Sequence, residues 1–355
     1  MNLDDLNLIQ QIDQHNMLAE IDHLPEQLEK AWQLGQTLEL PPMEKISRLL
    51  IAGMGGSAIG ADLVSAYVAQ TCPIPVTVHR DYGLPAWARG PETLVIASSH
   101  SGNTEETLDS FSAALAARCQ TIAICTGGEL AERARAAGVP VWRFEHAGQP
   151  RAAVGYSFGL LLAILSRLGL IASPGQLTAE IASAVEAMKQ QQTRLQAGVA
   201  TVHNPAKRQA GQLMGRWVNV YGSGVLAPVA RRWKGQINEL AKAGAGFEVL
   251  PEADHNALAG LENPDLLLQT ITLFLRCASD HPRNRLRSDL TRQAFLQQGL
   301  NTDVYEATGN SPLAQMWTAI HFGDYTAFYL AMAYGVDPTP VNILQDFKAA
   351  MKAAR

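Results

Sequence analysis

Apolar and polar positions divide this chain into short apolar runs separated by glycine-rich turns and helical stretches. In residues 1–48 the apolar positions Leu18, Ile21, Leu24 and Leu28 recur at helical spacing among polar neighbours, which predicts a helical opening segment. Residues 48–53 (Arg-Leu-Leu-Ile-Ala-Gly) read as a buried strand, which runs into Gly53-Met-Gly-Gly-Ser-Ala-Ile-Gly60 and a helix over 61–68. Further strands are predicted at 75–79, 93–98, 121–125 and 139–144. Continuous apolar strands alternating with helices imply a parallel sheet covered on both faces. A helical stretch from 153 to about 196 follows, and its apolar run at 158–165 is too short and interrupted to span a bilayer.

The second half repeats this order: strand 217–221, turn 222–224, helix 229–243, then strands at 246–250, 270–275 and 302–305. Gly55-Gly-Ser57 aligns with Gly222-Ser-Gly224, and Ser98-Ser-His-Ser-Gly-Asn-Thr104 aligns with Cys277-Ala-Ser-Asp-His-Pro-Arg283. The second copy therefore lacks the Ser/Gly/Thr loop. The expected architecture is α/β, with two related lobes, each a parallel sheet flanked by helices in three layers. The expected divisions are a helical segment 1–48, a first lobe 49–152, linking helices 153–200 and a second lobe 201–355. The Arg-rich stretch 277–301 reads as a surface insertion.

A chain of 355 residues suits two domains, and 47% hydrophobic content excludes wholesale disorder. With 28 Lys plus Arg against 33 Asp plus Glu, the net charge of −5 disfavours nucleic acid and anionic membrane as partners. It leaves room for a small anionic substrate. The four cysteines show no CxxC or metal-type spacing, and residues 1–20 hold no apolar run, so a cytoplasmic protein with reduced thiols is expected. No HExxH, cysteine cluster, dinucleotide fingerprint or GxxxxGK[ST] is present, and no metal or cofactor is expected.

The strongest local signal is Ser99-His-Ser-Gly-Asn-Thr104, between a strand and a helix. Ser99, Ser101 and Thr104 offer three hydroxyls where a helix N-terminus presents unpaired N–H groups, which suits a phosphate. Capping alone needs one hydroxyl. In the earlier turn, glycines including Gly56 let the backbone approach a ligand and Ser57 can donate to it; the same turn could serve packing alone. Glu239 and His255 could form an acid/base pair, although by spacing alone both read as surface residues and Glu248 and Glu252 compete for the role. Arg151, in Gln149-Pro-Arg151, could stabilise an oxyanion, but without context reads as a surface arginine. Lys348 lies on a final amphipathic helix whose default is a solvated face.

Together, Gly-Met-Gly-Gly-Ser57-Ala-Ile-Gly, Ser99-His-Ser-Gly-Asn-Thr-Glu-Glu-Thr107, Gln-Pro-Arg151, Arg-Trp-Lys-Gly-Gln-Ile-Asn-Glu239 and Asp-His255-Asn256 resemble the sugar isomerase (SIS) domain proteins. Within them the set is similar to the bifunctional phosphoglucose/phosphomannose isomerases. The resemblance implies two SIS lobes and a cofactor-free aldose–ketose isomerase acting on a small sugar phosphate through an enediol. It implies that Gly56, Ser57, Ser99, Ser101 and Thr104 bind the phosphate, that Arg151 stabilises the enediolate and that Glu239 is the base. It also implies that His255 and Lys348 assist ring opening, and that the assembly is a homodimer in which His255 is donated across the interface. His100 stands where the family's phosphate loop carries an aromatic residue, and Thr339 is the nearest candidate for the threonine associated with the mannose epimer. A non-catalytic sugar-phosphate sensor, or a SIS isomerase of another sugar phosphate, remains open from the residues alone.

Overall fold

A computed structural model describes residues 2–354. Three helices open the chain: α1 (Leu6–Ile12), α2 (Met17–Asp22) and α3 (Leu24–Thr37). The expected apolar stripe turns inward, with Ile21, Leu24 and Leu28 no more than 3% exposed. Five strands follow: β1 (Arg48–Ala52), β2 (Val76–His79), β3 (Thr93–Ser98), β4 (Gln120–Cys125) and β5 (Val141–Arg143). They form a parallel sheet of order β2-β1-β3-β4-β5. Its crossovers include α4 (Gly55–Val68), α5 (Glu105–Ala116) and α6 (Gly128–Ala136). Every residue of β3 is buried, which is why its sequence is apolar throughout rather than alternating.

Helices α7 (Val154–Arg167), α8 (Pro174–Gln192) and α9 (Pro205–Leu213) lead to the second sheet. The single helical stretch expected over 153–196 is thus two helices. Between them Gly169 takes φ +70°, and Pro174 starts a new first turn with the Ser173 N–H donating to the Gln176 side chain at 3.2 Å.

The second sheet holds β6 (Trp217–Gly222), β7 (Ala245–Val249), β8 (Thr270–Arg276) and β9 (Asn301–Glu306), all parallel, in the order β7-β6-β8-β9. This repeats β2-β1-β3-β4 strand for strand. Helix α10 (Ala227–Glu239) connects β6 to β7, and α11 (Pro282–Gln297) connects β8 to β9. The Arg-rich segment is therefore the crossover a parallel pair requires, not an insertion. It buries only Ser288, Thr291 and Phe295 and leaves its arginines outward, which hid its role.

Helix α12 (Pro312–Tyr334) is buried from Leu313 to Met332 and packs on α2, α8, α9 and α10. One apolar core joins Ile51 and Leu94 of the first sheet to Val218 and Ile271 of the second through Trp317 and Phe328 of α12. Helix α13 (Asn342–Ala353) buries nothing. No helix among the described residues is long and apolar enough to cross a membrane.

Candidate active site

The order of strand addition in the first sheet reverses between β1 and β3, a switch point at which a crevice forms beyond the C-terminal ends of the strands. Two helix N-termini face it. Met54 stands at the cap of α4 and Thr104 at the cap of α5, and neither side chain caps its helix. The hydroxyls of the loop shape the loop instead. Ser99 Oγ accepts from the Gly102 N–H at 3.1 Å and lies 2.9 Å from Thr104 Oγ1, while Ser101 Oγ accepts from the Asn103 N–H at 3.2 Å. Ser57, 5% exposed in the first turn of α4, makes no hydrogen bond with its side chain among the described residues. Two helix N-termini without side-chain caps and the unengaged Ser57 hydroxyl are features that suit an anion without a lysine field.

Two glycines enforce this geometry. Gly102 has φ +69°, and a Cβ there would overlap the Gly127 carbonyl oxygen. A Cβ on Gly56 would lie 2.6 Å from the Pro150 carbonyl oxygen, so this turn packs directly against the segment that carries Arg151.

Arg151 sits on a short 3₁₀ turn (Pro150–Ala152) and is 6% exposed. Its Nη1 lies 3.6 Å from Glu239 Oε2, and its Nη2 donates to the Pro338 and Thr339 carbonyls at 2.8 and 2.5 Å. Burial lowers the Arg151 pKa, and the charges of Glu239 and Asp337 oppose that, so the group stays a cation. Arg232 donates twice to the Arg151 carbonyl, both at 3.2 Å, and pairs with the buried Asp324 carboxylate at 3.1 and 2.6 Å. Gln236 donates to the same carboxylate at 3.0 Å. Arg232, Gln236 and Glu239 recur at spacings of four and three, along one face of α10. The helix that presents the carboxylate thus also anchors the backbone of the guanidinium. At 3.6 Å the two groups form an ion pair without a direct hydrogen bond.

The structure brings Gly56, Ser57, Ser99, Ser101 and Thr104 to one crevice, next to Arg151 and Glu239. It does not bring His255 or Lys348 there within one chain. His255 ends an exposed 3₁₀ turn (Glu252–His255) and Lys348 lies on the unburied α13. Neither side chain makes a hydrogen bond or ion pair with the described residues.

Sequence reasoning missed Lys242. Its ammonium donates to the carbonyls of Glu239, Leu240 and Pro338 at 2.6, 3.3 and 3.2 Å, tying the end of α10 to the 337–339 segment. Burial of that ammonium and the nearby Arg151 pull its pKa down to about 8. Nothing local in Ala-Lys-Ala-Gly marks this role. Thr339 is 7% exposed, and its hydroxyl has no partner among the described residues. The same residues contain no group of three or more His, Cys, Asp or Glu placed to hold a metal ion.

Residues 202–351 match the family model described as the bacterial phospho-glucose isomerase C-terminal SIS domain. The bifunctional phosphoglucose/phosphomannose isomerase of Caldicellulosiruptor bescii is 41% identical over 94% of this chain and 98% of its own length. The chain belongs to the bifunctional phosphoglucose/phosphomannose isomerase family. Another family member, from Aquifex aeolicus, is 33% identical over 86% of this chain and 90% of its own. The fold recurs in a hypothetical protein of Thermus thermophilus, 16% identical, with a TM-score of 0.74 over 95% of this chain and 90% of that one.

Proposed function

We propose that this isomerase interconverts glucose 6-phosphate, fructose 6-phosphate and mannose 6-phosphate through an enediolate, without a cofactor. The hydroxyls of Ser57, Ser99, Ser101 and Thr104 and the backbone at Gly56 hold the phosphate. Glu239 takes the proton from C2 of the aldose and returns it to C1, while a proton passes from O2 to O1 to complete the ketose. Arg151 stabilises the charge on the enediolate oxygens. The enediolate is planar at C2, so protonation there from either face gives glucose or mannose stereochemistry. The buried Thr339 hydroxyl, without a partner among the described residues and beside Arg151, supports contact with the sugar near that centre.

In this reading a cytoplasmic homodimer completes the site. His255 of the partner subunit and Lys348 open the sugar ring. The α13 helix supports an interface, since it carries Ile343, Leu344, Phe347 and Met351 46–76% exposed.

The observation that carries the reading is the Arg151–Glu239 pair at 3.6 Å beside an uncapped hydroxyl loop. Its test is incubation with fructose 6-phosphate in D₂O, followed by NMR. Deuterium should enter C1 of the ketose and C2 of both aldoses. No incorporation from fructose 6-phosphate or mannose 6-phosphate would sink the proposal. For the dimer, mixed Glu239→Gln and His255→Ala variants should recover part of the activity; no recovery places the site within one chain.

A further inference from the structure

The phosphate loop and the Arg151 segment are joined by a chain of three titratable side chains that the chemistry above does not use. His146 Nδ1 lies 2.9 Å from His100 Nε2, and His146 Nε2 lies 3.0 Å from Glu20 Oε2. The His146 side chain is 8% exposed. The two rings meet edge to face at 5.1 Å, with Phe144 against His100 at 5.8 Å and Tyr156 against His146 at 5.9 Å.

The positions of these residues are informative. His100 lies between Ser99 and Ser101, and its own carbonyl accepts from the Thr126 N–H and hydroxyl at 2.9 and 2.7 Å. His146 is five residues ahead of Arg151. Glu20 is on α2, which packs on α12, and α12 carries Asp324 of the Arg232 pair. Gly148, between His146 and Arg151, passes so close that a Cβ there would lie 2.5 Å from Glu20 Oε1 and 2.8 Å from His146 Cε1. The segment has no room to take another path while the Glu20–His146 pair stands.

The proton positions follow from the partners. The hydrogen bond from His146 lowers the Glu20 pKa, so this carboxylate is ionised and can only accept. His146 Nε2 therefore donates to Glu20. In the neutral form of His146 its Nδ1 is an acceptor, and His100 then donates from Nε2. Burial and the neighbouring His146 lower the His100 pKa to about 4, which keeps that ring neutral near pH 7. The relay thus turns a neutral donor of the phosphate loop away from the ligand and onto the arm that carries the cation.

We propose that His146 and His100 are positioning residues whose hydrogen bond holds the phosphate loop and the Arg151 segment in one register, with Glu20 keeping His146 Nε2 a donor, and so sets the affinity for the sugar phosphate. This rests on the function proposed above, and it names a tie between the two halves of that site.

The test uses near-isosteric variants of the full chain. Asn at position 146 keeps an acceptor for His100, whereas Gln there reaches Glu20 and loses the bond to His100. Gln at position 100 keeps a donor for His146, whereas Met does not. His146→Asn and His100→Gln should keep KM for fructose 6-phosphate within about twofold of the parent, and His146→Gln and His100→Met should raise it about tenfold. Equal KM values across the four variants, or His146→Asn as impaired as His146→Gln, would overturn the proposal. Calorimetric Kd values for fructose 6-phosphate carry the same test if the parent proves inactive, so the relay and the isomerase reading fail separately. A readout independent of any variant is the tautomer. Long-range ¹H–¹⁵N spectra of the histidine-labelled parent should show both His100 and His146 protonated on Nε2. A proton on Nδ1 of neutral His100 would also overturn it.

Discussion

The two sheets repeat the same strand order, and they differ in what fills the turn and loop at the switch point. In the first lobe, the turn after β1 and the loop after β3 leave two helix N-termini uncapped and line them with hydroxyls. In the second, the turn after β6 contains Ser223 and the loop after β8 contains Asp280, which is 8% exposed. Asp280 Oδ1 accepts from the Ser223 hydroxyl at 2.8 Å and Oδ2 accepts from the Cys277 N–H at 2.9 Å. The cap of α11 is also occupied, since the His281 ring accepts from the Arg283 N–H. A side-chain carboxyl group of the chain itself thus bridges the turn and the loop of the second lobe. Asp280 aligns with Ser101. The second loop thus carries a carboxylate where the first carries a hydroxyl, and the second lobe presents Glu239 from α10 beside Arg151. In the proposed function the first lobe holds the phosphate and supplies Arg151, and the second supplies the base.

The largest effect should come from removing the second lobe's contribution alone. Glu239→Gln should lower kcat about a thousandfold, as expected for loss of a general base, and leave the fructose 6-phosphate Kd within about twofold. Rapid-quench assays and calorimetry check the split, and retained turnover moves the base to another carboxylate. Next, Ser101→Asp should give the first loop the carboxylate that the second carries. The internal carboxylate competes with and repels the phosphate, so KM should rise about a hundredfold with the fold intact. An unchanged KM means the loop does not hold the phosphate.

The reverse change, Asp280→Ser, strips two buried donors of their acceptor. Unfolding in denaturant should show a loss of about 1–3 kcal/mol, with KM unaffected. A changed KM would mean that the second crevice takes part in substrate binding. The smallest effect concerns Lys242, whose folded pKa is depressed from 10.5 to about 8. Between those values the folded chain holds fewer protons than the unfolded one, so the stability of the parent relative to Lys242→Met should rise with pH across that window. A flat difference between pH 7 and pH 10 would show that the ammonium is solvated.

The strands and both crevice turns were legible because buried parallel strands write themselves as apolar runs ended by glycine. Helix α12 was not, since a helix buried on all sides carries no polar stripe to set its period. The break before α8 did leave signals, Gly169 and Ser173-Pro174, whereas α11 offered no apolar stripe. For the site, the loop and turn could be read from hydroxyls and glycines. The frame around Arg151 could not, because Arg232–Asp324 joins residues 92 apart and Glu20–His146 residues 126 apart. His255 and Lys348 were reached by resemblance, and their exposed positions explain why no local pattern pointed to them.

Helix α12 also has a consequence for how this enzyme can be divided. It packs simultaneously on α2 and α8 from one side of the chain and on α10 from the other. A fragment confined to residues 202–351, the span matched by the family model, would lay bare the α12 surface that α2 and α8 cover. Such a fragment is no portable module. The two sheets look like separable repeats, but they should melt in one step and resist domain exchange, because neither owns the helix on which both are built.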